Sequence, residues 1–192
     1  MAKESATPPG SAPSRPSWER TRLFMRRPWL EDLPVLPVPE GCVVRAYQPG
    51  DLPALCALLT RAFGETEPWD EGRVRRTLIE ADDVEETYVV AEGDRLLATA
   101  SARVMARYPG SGYLHWVAAD PEVQGKGLGT LISVRVLQHF REHGLRDAVL
   151  ETHNFRLPAI RSYLRLGFVP EYQYDDPDER MRWARVLPRL VH

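Results

Sequence analysis

Between Tyr113 and Thr130 (YLHWVAADPEVQGKGLGT) a strand-like apolar run ends near Asp120-Pro121, and a glycine-alternating turn opens onto a segment with helical apolar spacing. That order restricts the fold strongly, because it sets a helix N-terminus beside a strand end. Gly125, Gly127 and Gly129 alternate with Lys126 and Leu128, so few Cβ atoms keep a ligand from the main chain. The turn's amide hydrogens and the unpaired N–H groups that begin the helix can then converge on an anion. The helix dipole contributes only about 0.3–1 kcal/mol, so hydrogen bonds must supply much of the affinity.

Spelling excludes two common phosphate loops. A dinucleotide fingerprint needs a glycine three residues after Gly127, where Thr130 stands, and a P-loop needs Ser or Thr after its Gly-Lys pair, where Gly127 stands. What remains, Gln124-Gly-Lys-Gly-Leu-Gly129 after Ala119-Asp-Pro121, resembles the acyl-CoA pyrophosphate loop of the GCN5-related N-acetyltransferases (GNAT). That family's motif reads Gln/Arg-x-x-Gly-x-Gly/Ala, and Gln124, Gly127 and Gly129 fit it. In a second stretch, Glu151–Phe168, Ala159, Tyr163 and Leu166-Gly-Phe168 match at the family's spacing. One departure matters. The asparagine often found three residues before the alanine is replaced by Arg156, and Asn154 comes two earlier.

The two motifs cover Tyr113 to Phe168, and weaker elements extend the resemblance from about Cys42 to Leu187. It implies an α/β (α+β) fold with a mixed, mostly antiparallel central sheet flanked by helices, whose fourth and fifth strands splay apart. Acetyl-CoA, the implied co-substrate, would send its pantetheine between them, along the backbone of Val117, Ala118 and Ala119. Its diphosphate would meet Gln124, Gly125, Lys126, Gly127, Leu128, Gly129 and Thr130, with Ala159 and Asn154 nearby. Arg156 would pair with a CoA phosphate or face water.

The implied reaction is N-acyl transfer from acetyl-CoA to an amine, directly within a ternary complex. Its rivals are a CoA-binding module that senses or scaffolds without turnover and an enzyme acylating a hydroxyl or thiol. An alkyl ammonium (pKa ~10) must lose a proton before it attacks, so a base should stand near the fourth or fifth strand. His115 is the first candidate and Glu151 the second. Tyr163 matches the family's general acid. Full proton transfer from a phenol of ~10 to a thiol of ~8.5 runs uphill by about 2 kcal/mol, which leaves a stabilising hydrogen bond as the alternative. A main-chain N–H of the fourth strand could polarise the thioester carbonyl.

Other features point elsewhere. His139-Phe-Arg-Glu-His143 spells a zinc-peptidase pattern, but it sits at the end of the helix behind the glycine turn, where cationic side chains favour the dipole. No metal is expected. Cys42 and Cys56 have no nucleophile motif and no pairing pattern, which suits a reducing cytoplasm. With 192 residues, 43% hydrophobic, 27% charged and a net charge of −2, the chain suits one domain and neither a nucleic-acid nor a membrane partner. The expected acceptor is a small-molecule or peptide amine, and the expected state a monomer or homodimer. Residues 1–20 read as a disordered tail, 21–40 as an extended Pro-rich segment packed on the domain, and 41–192 as the acetyltransferase domain. The arginines at 20, 22, 26 and 27 read as a solvated face or a transit signal, the latter opposed by nearby acids. The acidic run Glu80–Glu86 reads as a solvated loop or a lure for a cationic amine. Trp69, Tyr108, Tyr113, Tyr172 and Tyr174 read as acceptor-pocket walls or packing.

The patterns predict strands at Cys42–Tyr47, Thr87–Ala91, Arg95–Met105, Tyr113–Ala119, Ala148–Thr152 and Phe168–Tyr174, with Met181–Leu187 as a last one. Helices are predicted from Asp51 to Phe63, Asp70 to Ala81, Gly127 to His143 and Pro158 to Leu166.

Overall fold

The computed structural model describes residues 22–63, 69–172 and 177–190, so the tail at 1–20, Gly64 after the expected first helix and the expected strand residue Tyr174 lie outside it. The strands are β1 (Arg22–Arg27), β2 (Val43–Ala46), β3 (Val84–Glu92), β4 (Arg95–Val104), β5 (Ser111–Ala119), β6 (Asp147–His153) and β7 (Val169–Glu171). The helices are α1 (Leu52–Phe63), α2 (Glu71–Val74, continued by a π turn to Ile79), α3 (Leu128–Glu142), α4 (Leu157–Arg165) and α5 (Pro177–Val186). One seven-stranded sheet runs in the order β2-β3-β4-β5-β6-β1-β7. It is antiparallel throughout except between β5 and β6, which lie parallel. The mixed, mostly antiparallel sheet flanked by helices is the architecture expected from the sequence.

Alternation along the strands sorts side chains between two layers. In β3, Tyr88 and Val90 join the cluster around α3, which also takes Ile160 and Tyr163 of α4 and Trp183 and Val186 of α5. Val89 and Ala91 join the other, built on Leu52, Leu55, Leu58 and Leu59 of α1 and Val74 and Leu78 along α2 and its π turn. The α1 stripe works because each such leucine gains roughly 1.5–3 kcal/mol on leaving water. Close approach of α3 to β5 depends on Gly112, since a Cβ there would overlap the buried ring of Phe140.

The segment expected merely to lie over the domain contributes an inner strand. β1 pairs with β6 on one side and β7 on the other, and Leu23 and Met25 are fully buried. Of its arginines Arg22 is exposed, but Arg26 and Arg27 do not form a solvated face. Arg26 bonds Ser111 Oγ (3.1 Å), Asp147 (2.9 Å) and Glu171 (2.8 Å), tying β1 to β5, β6 and β7. Arg27 donates to the carbonyls of Leu166 and Asp32 and fills the space beside Gly167 (φ +82°), the turn that ends α4. Burial lowers its pKa, against the pull of Asp32 and Glu31.

The strand expected at Met181–Leu187 is instead the end of α5 and the first residue of a 3-10 turn. Met and Trp alternating with arginines over 180–183 mimic a period of two. The buried set, Glu179, Trp183 and Val186, has the helical spacing of four and three. Because β1 precedes the expected first strand, the expected fourth and fifth strands are β5 and β6.

Candidate active site

Strands β5 and β6 pair only from Ser111↔Asp147 to Tyr113↔Val149 and then separate, which is the expected splay. Its cause is local. Between Thr99↔Ala118 and Ser101↔His115, β5 carries one more residue than β4, a bulge, and Trp116 lies there at φ 47°. A non-glycine residue in that region costs roughly 1–3 kcal/mol. Trp116 is held by edge-to-face contacts with Trp69 (4.6 Å) and Phe63 (5.5 Å), so α1 and the aromatic pair stabilise the bend.

The turn between β5 and α3 is built on Asp120. Its buried carboxylate accepts from Arg61 (2.8 Å), Arg95 (2.8 Å) and the Glu122 N–H (3.1 Å). Burial would raise its pKa, but Arg95, the Glu122 N–H and Arg61 together hold it down at about 2. A single 3-10 turn follows at Pro121–Val123, and then Gly125 (φ 87°) and Gly127 (φ 75°) reverse the chain. The helical ladder of α3 starts with Leu131 N–H to Gly127 O (2.9 Å), so the N–H groups of Leu128, Gly129 and Thr130 precede it. A Cβ on Gly125, Gly127 or Gly129 would meet no protein atom within 4 Å. At Gly129, a helical residue, neither packing nor backbone strain asks for glycine. The space above these amides is open.

That space is a cavity of about 410 Å³ between the turn and α4. It is lined by Val117, Ala119, Gln124, Gly125, Gly127, Leu128, Gly129, Thr130, Ala159 and Tyr163 from the sequence-based set. The set is not gathered whole. Ala118 turns its methyl into the α1 layer, Lys126 is exposed away from the cavity wall, and Asn154 is buried outside it. Arg161 and Arg165, four apart on α4, line it as well. Their spacing was visible in the sequence, but what they face was not.

A second cavity of about 220 Å³ adjoins the first, sharing Val117, Ala159 and Tyr163 with it. His115, Glu151 and Arg156 line this one, with Arg22, Phe63, Tyr113, Trp116 and His153. Tyr163 is nearly buried at the junction, and its hydroxyl has no hydrogen-bond partner among the described residues. Burial pushes the phenol up to about 12, with Arg156 pulling the other way. Arg103 donates to His115 Nδ1 (2.7 Å), so the neutral ring carries its proton on Nε2. Burial first, and Arg103 second, hold the ring down to about 3. Glu151 receives Arg22 (2.9 Å) and Arg107.

The remaining sequence features have structural employment. His139 accepts from the Tyr88 hydroxyl through Nδ1 (3.0 Å) and donates to Glu85 through Nε2 (3.0 Å), while His143 Nδ1 donates to the His139 carbonyl (2.8 Å). No cluster of metal-ligating side chains occurs among the described residues. Asp83 and Glu85 pair with Arg103 and His139, so the acidic run is partly spent on structure. Trp69 is core, Tyr113 lines the smaller cavity, and Tyr108 and Tyr172 line a separate one near Arg26. Neither Cys42 nor Cys56 lines any of these cavities, and burial raises the Cys56 thiol, with Glu71 and Asp70 adding. No described helix is long and apolar enough to cross a membrane.

A mixed sheet opened by a bulge, with a glycine turn at one side of the gap and a buried tyrosine at its centre, is the acetyltransferase fold. The chain belongs to the Acetyltransferase (GNAT) family, which it matches over residues 52–168. It is similar to proteins named mycothiol acetyltransferase: 35% identical over 158 residues to that of Actinosynnema mirum (76% of this chain, 51% of the relative). To that of Nocardia farcinica it is 32% identical over 186 residues (89% and 58%). The chain thus spans about half the length of these relatives. Among solved structures, a putative GNAT-family acetyltransferase from Novosphingobium aromaticivorans superposes with a TM-score of 0.58 at 26% identity, covering 78% of this chain and 59% of that one. A GCN5-related N-acetyltransferase from Sphaerobacter thermophilus shares the fold, with a TM-score of 0.62 at 21% identity (78% and 48%).

Proposed function

We propose that the protein is an acyl-CoA-dependent N-acyltransferase that moves an acetyl group from acetyl-CoA to an amine by direct transfer in a ternary complex. The observation that carries this reading is the junction of the two cavities at Tyr163. The larger cavity, floored by main-chain N–H groups at the start of α3, suits a diphosphate, with Arg161 and Arg165 opposite. The gap between β5 and β6 suits a pantetheine arm along Val117, Ala118 and Ala119. The smaller cavity suits the acceptor, and Arg156 lines that cavity rather than the diphosphate side.

Tyr163 stands where a departing thiolate would need a donor. With the phenol near 12, complete transfer to a thiol of ~8.5 would run uphill by about 5 kcal/mol, so a hydrogen bond to the sulfur is the favoured form of help. The thiol then takes its proton from water. The reading keeps a cytoplasmic protein, monomeric or homodimeric, acting on a small-molecule or peptide amine. Mycothiol-related compounds enter its acceptor panel through the relatives' names.

The test is a thiol-release screen with acetyl-CoA against an amine panel, run beside Tyr163→Phe, with calorimetry for CoA. The variant should keep its affinity for CoA and lose about 10²-fold or more in kcat. Binding of CoA without thiol release from any amine would favour a non-catalytic module. A product acylated on oxygen or sulfur would move the reaction to another acceptor.

A further inference from the structure

We infer that His153 is the general base of the acyl transfer, accepting the proton that the acceptor nitrogen gives up as its bond to the acetyl carbon forms. This rests on the acyltransferase reading above. Of the groups in the acceptor cavity able to take a proton, two are engaged. The Nδ1 lone pair of His115 is occupied by Arg103, leaving only a donor on the other nitrogen, and Glu151 is clamped between Arg22 and Arg107. His153 is neither. It lines the same cavity as Tyr163, lies half-buried at the end of β6 with its ring stacked on Phe155 (5.4 Å), and makes no ring hydrogen bond among the described residues.

Titratable groups share its cavity from each neighbouring element, with Tyr113 and His115 on β5 and Tyr163 on α4. Arg22 is its ladder partner on β1, Arg156 stands at the start of α4, and Glu151 precedes it by two on β6. Burial and the two arginines lower its pKa, against Glu151, so the ring is neutral and a lone pair is available at pH 7. An amine nitrogen that has committed its lone pair to carbon becomes strongly acidic, so even a weakly basic imidazole can take its proton. The balance is simple. An ammonium acceptor first gives one proton to water, the N–C bond then forms, a second N–H proton passes to His153, the C–S bond breaks with its electron pair on sulfur, and the thiolate is protonated from solvent beside Tyr163. His153 then returns its proton to water.

The test compares His153→Ala and His153→Gln with the wild-type chain in kcat at saturating amine from pH 5 to 9, where the free amine's own ionisation drops out, with CoA affinity and thermal stability measured on each. Expected is a fall in kcat of about 10²-fold or more with CoA affinity retained. The acidic limb, expected in the wild type below the ordinary imidazole value of ~6.5, should disappear, and added imidazole should partly restore His153→Ala. His115→Gln and Glu151→Gln should retain that limb. A His153→Ala protein with wild-type turnover, or one that keeps the limb, overturns the assignment and leaves the acyltransferase reading intact. A wild-type chain that releases no thiol with any amine overturns both.

Discussion

Replacing Gly129 by valine separates a glycine kept for folding from one kept for a ligand. The residue is the second of α3, and a Cβ built on it meets no protein atom within 4 Å. A Cβ there therefore meets no steric penalty in the free protein. In helix propensity glycine is the poorer residue by a few tenths of a kcal/mol, so Gly129→Val should leave stability within about 0.5 kcal/mol of wild type. Bound diphosphate changes the sum. If phosphate oxygens reach the N–H groups of Leu128, Gly129 and Thr130, an isopropyl group occupies their approach. Loss of one charge-assisted hydrogen bond costs roughly 1.5–3 kcal/mol, which is about a 10- to 150-fold rise in Kd. Gly129→Ala should fall between, since the family's motif accepts alanine there. Calorimetric titration with CoA and thermal melts of all three proteins would read both quantities. Unchanged CoA affinity in Gly129→Val would refute the main-chain cradle. A stability loss of several kcal/mol would show that the space above Gly129 belongs to the fold.

Asp120→Asn should destabilise the protein at pH 7 in a pH-dependent way. Because the folded pKa is depressed to about 2, the carboxylate's contribution is present above its unfolded value of ~3.9 and fades as pH falls through about 2. The shift alone sets a ceiling of about 2.6 kcal/mol. Arg61 and Arg95 are 39% and 43% exposed, so about 1–2 kcal/mol is expected, half of it gone by about pH 3. Urea titrations of both proteins between pH 7 and 3 check this, and a difference that stays constant across that range would assign the effect to turn geometry. Gly112→Ala should cost about 1–3 kcal/mol by driving a methyl into Phe140, with partial recovery when Phe140→Leu is added. Additive losses in that double variant would place the strain elsewhere.

The site's backbone was more legible than its side chains. Gln124–Thr130, α3 and the Leu166-Gly-Phe168 stop of α4 follow from glycine placement and apolar period, which act within a few residues. The β3–β4 hairpin was readable for the same reason. β1 was not, because Leu23 and Met25 sit among arginines and prolines that look solvated until their partners are known. Those partners are remote: Arg22 reaches Glu151 across 129 residues, and Arg26 reaches Glu171 across 145. α5 was misread where arginines alternating with Met181 and Trp183 imitated a strand.

By itself, then, the sequence determined where main-chain N–H groups could gather on an anion, since glycine acts through its own φ and its missing Cβ. Only the tertiary structure decided which titratable groups keep a lone pair for chemistry. Arg103 reaches His115 Nδ1 from β4, and His153 lines the cavity beside Tyr163 only because β1, α4 and the bulge in β5 enclose it. A side chain's proton affinity is set by charges and solvent around it, and folding brings those from distant parts of the chain.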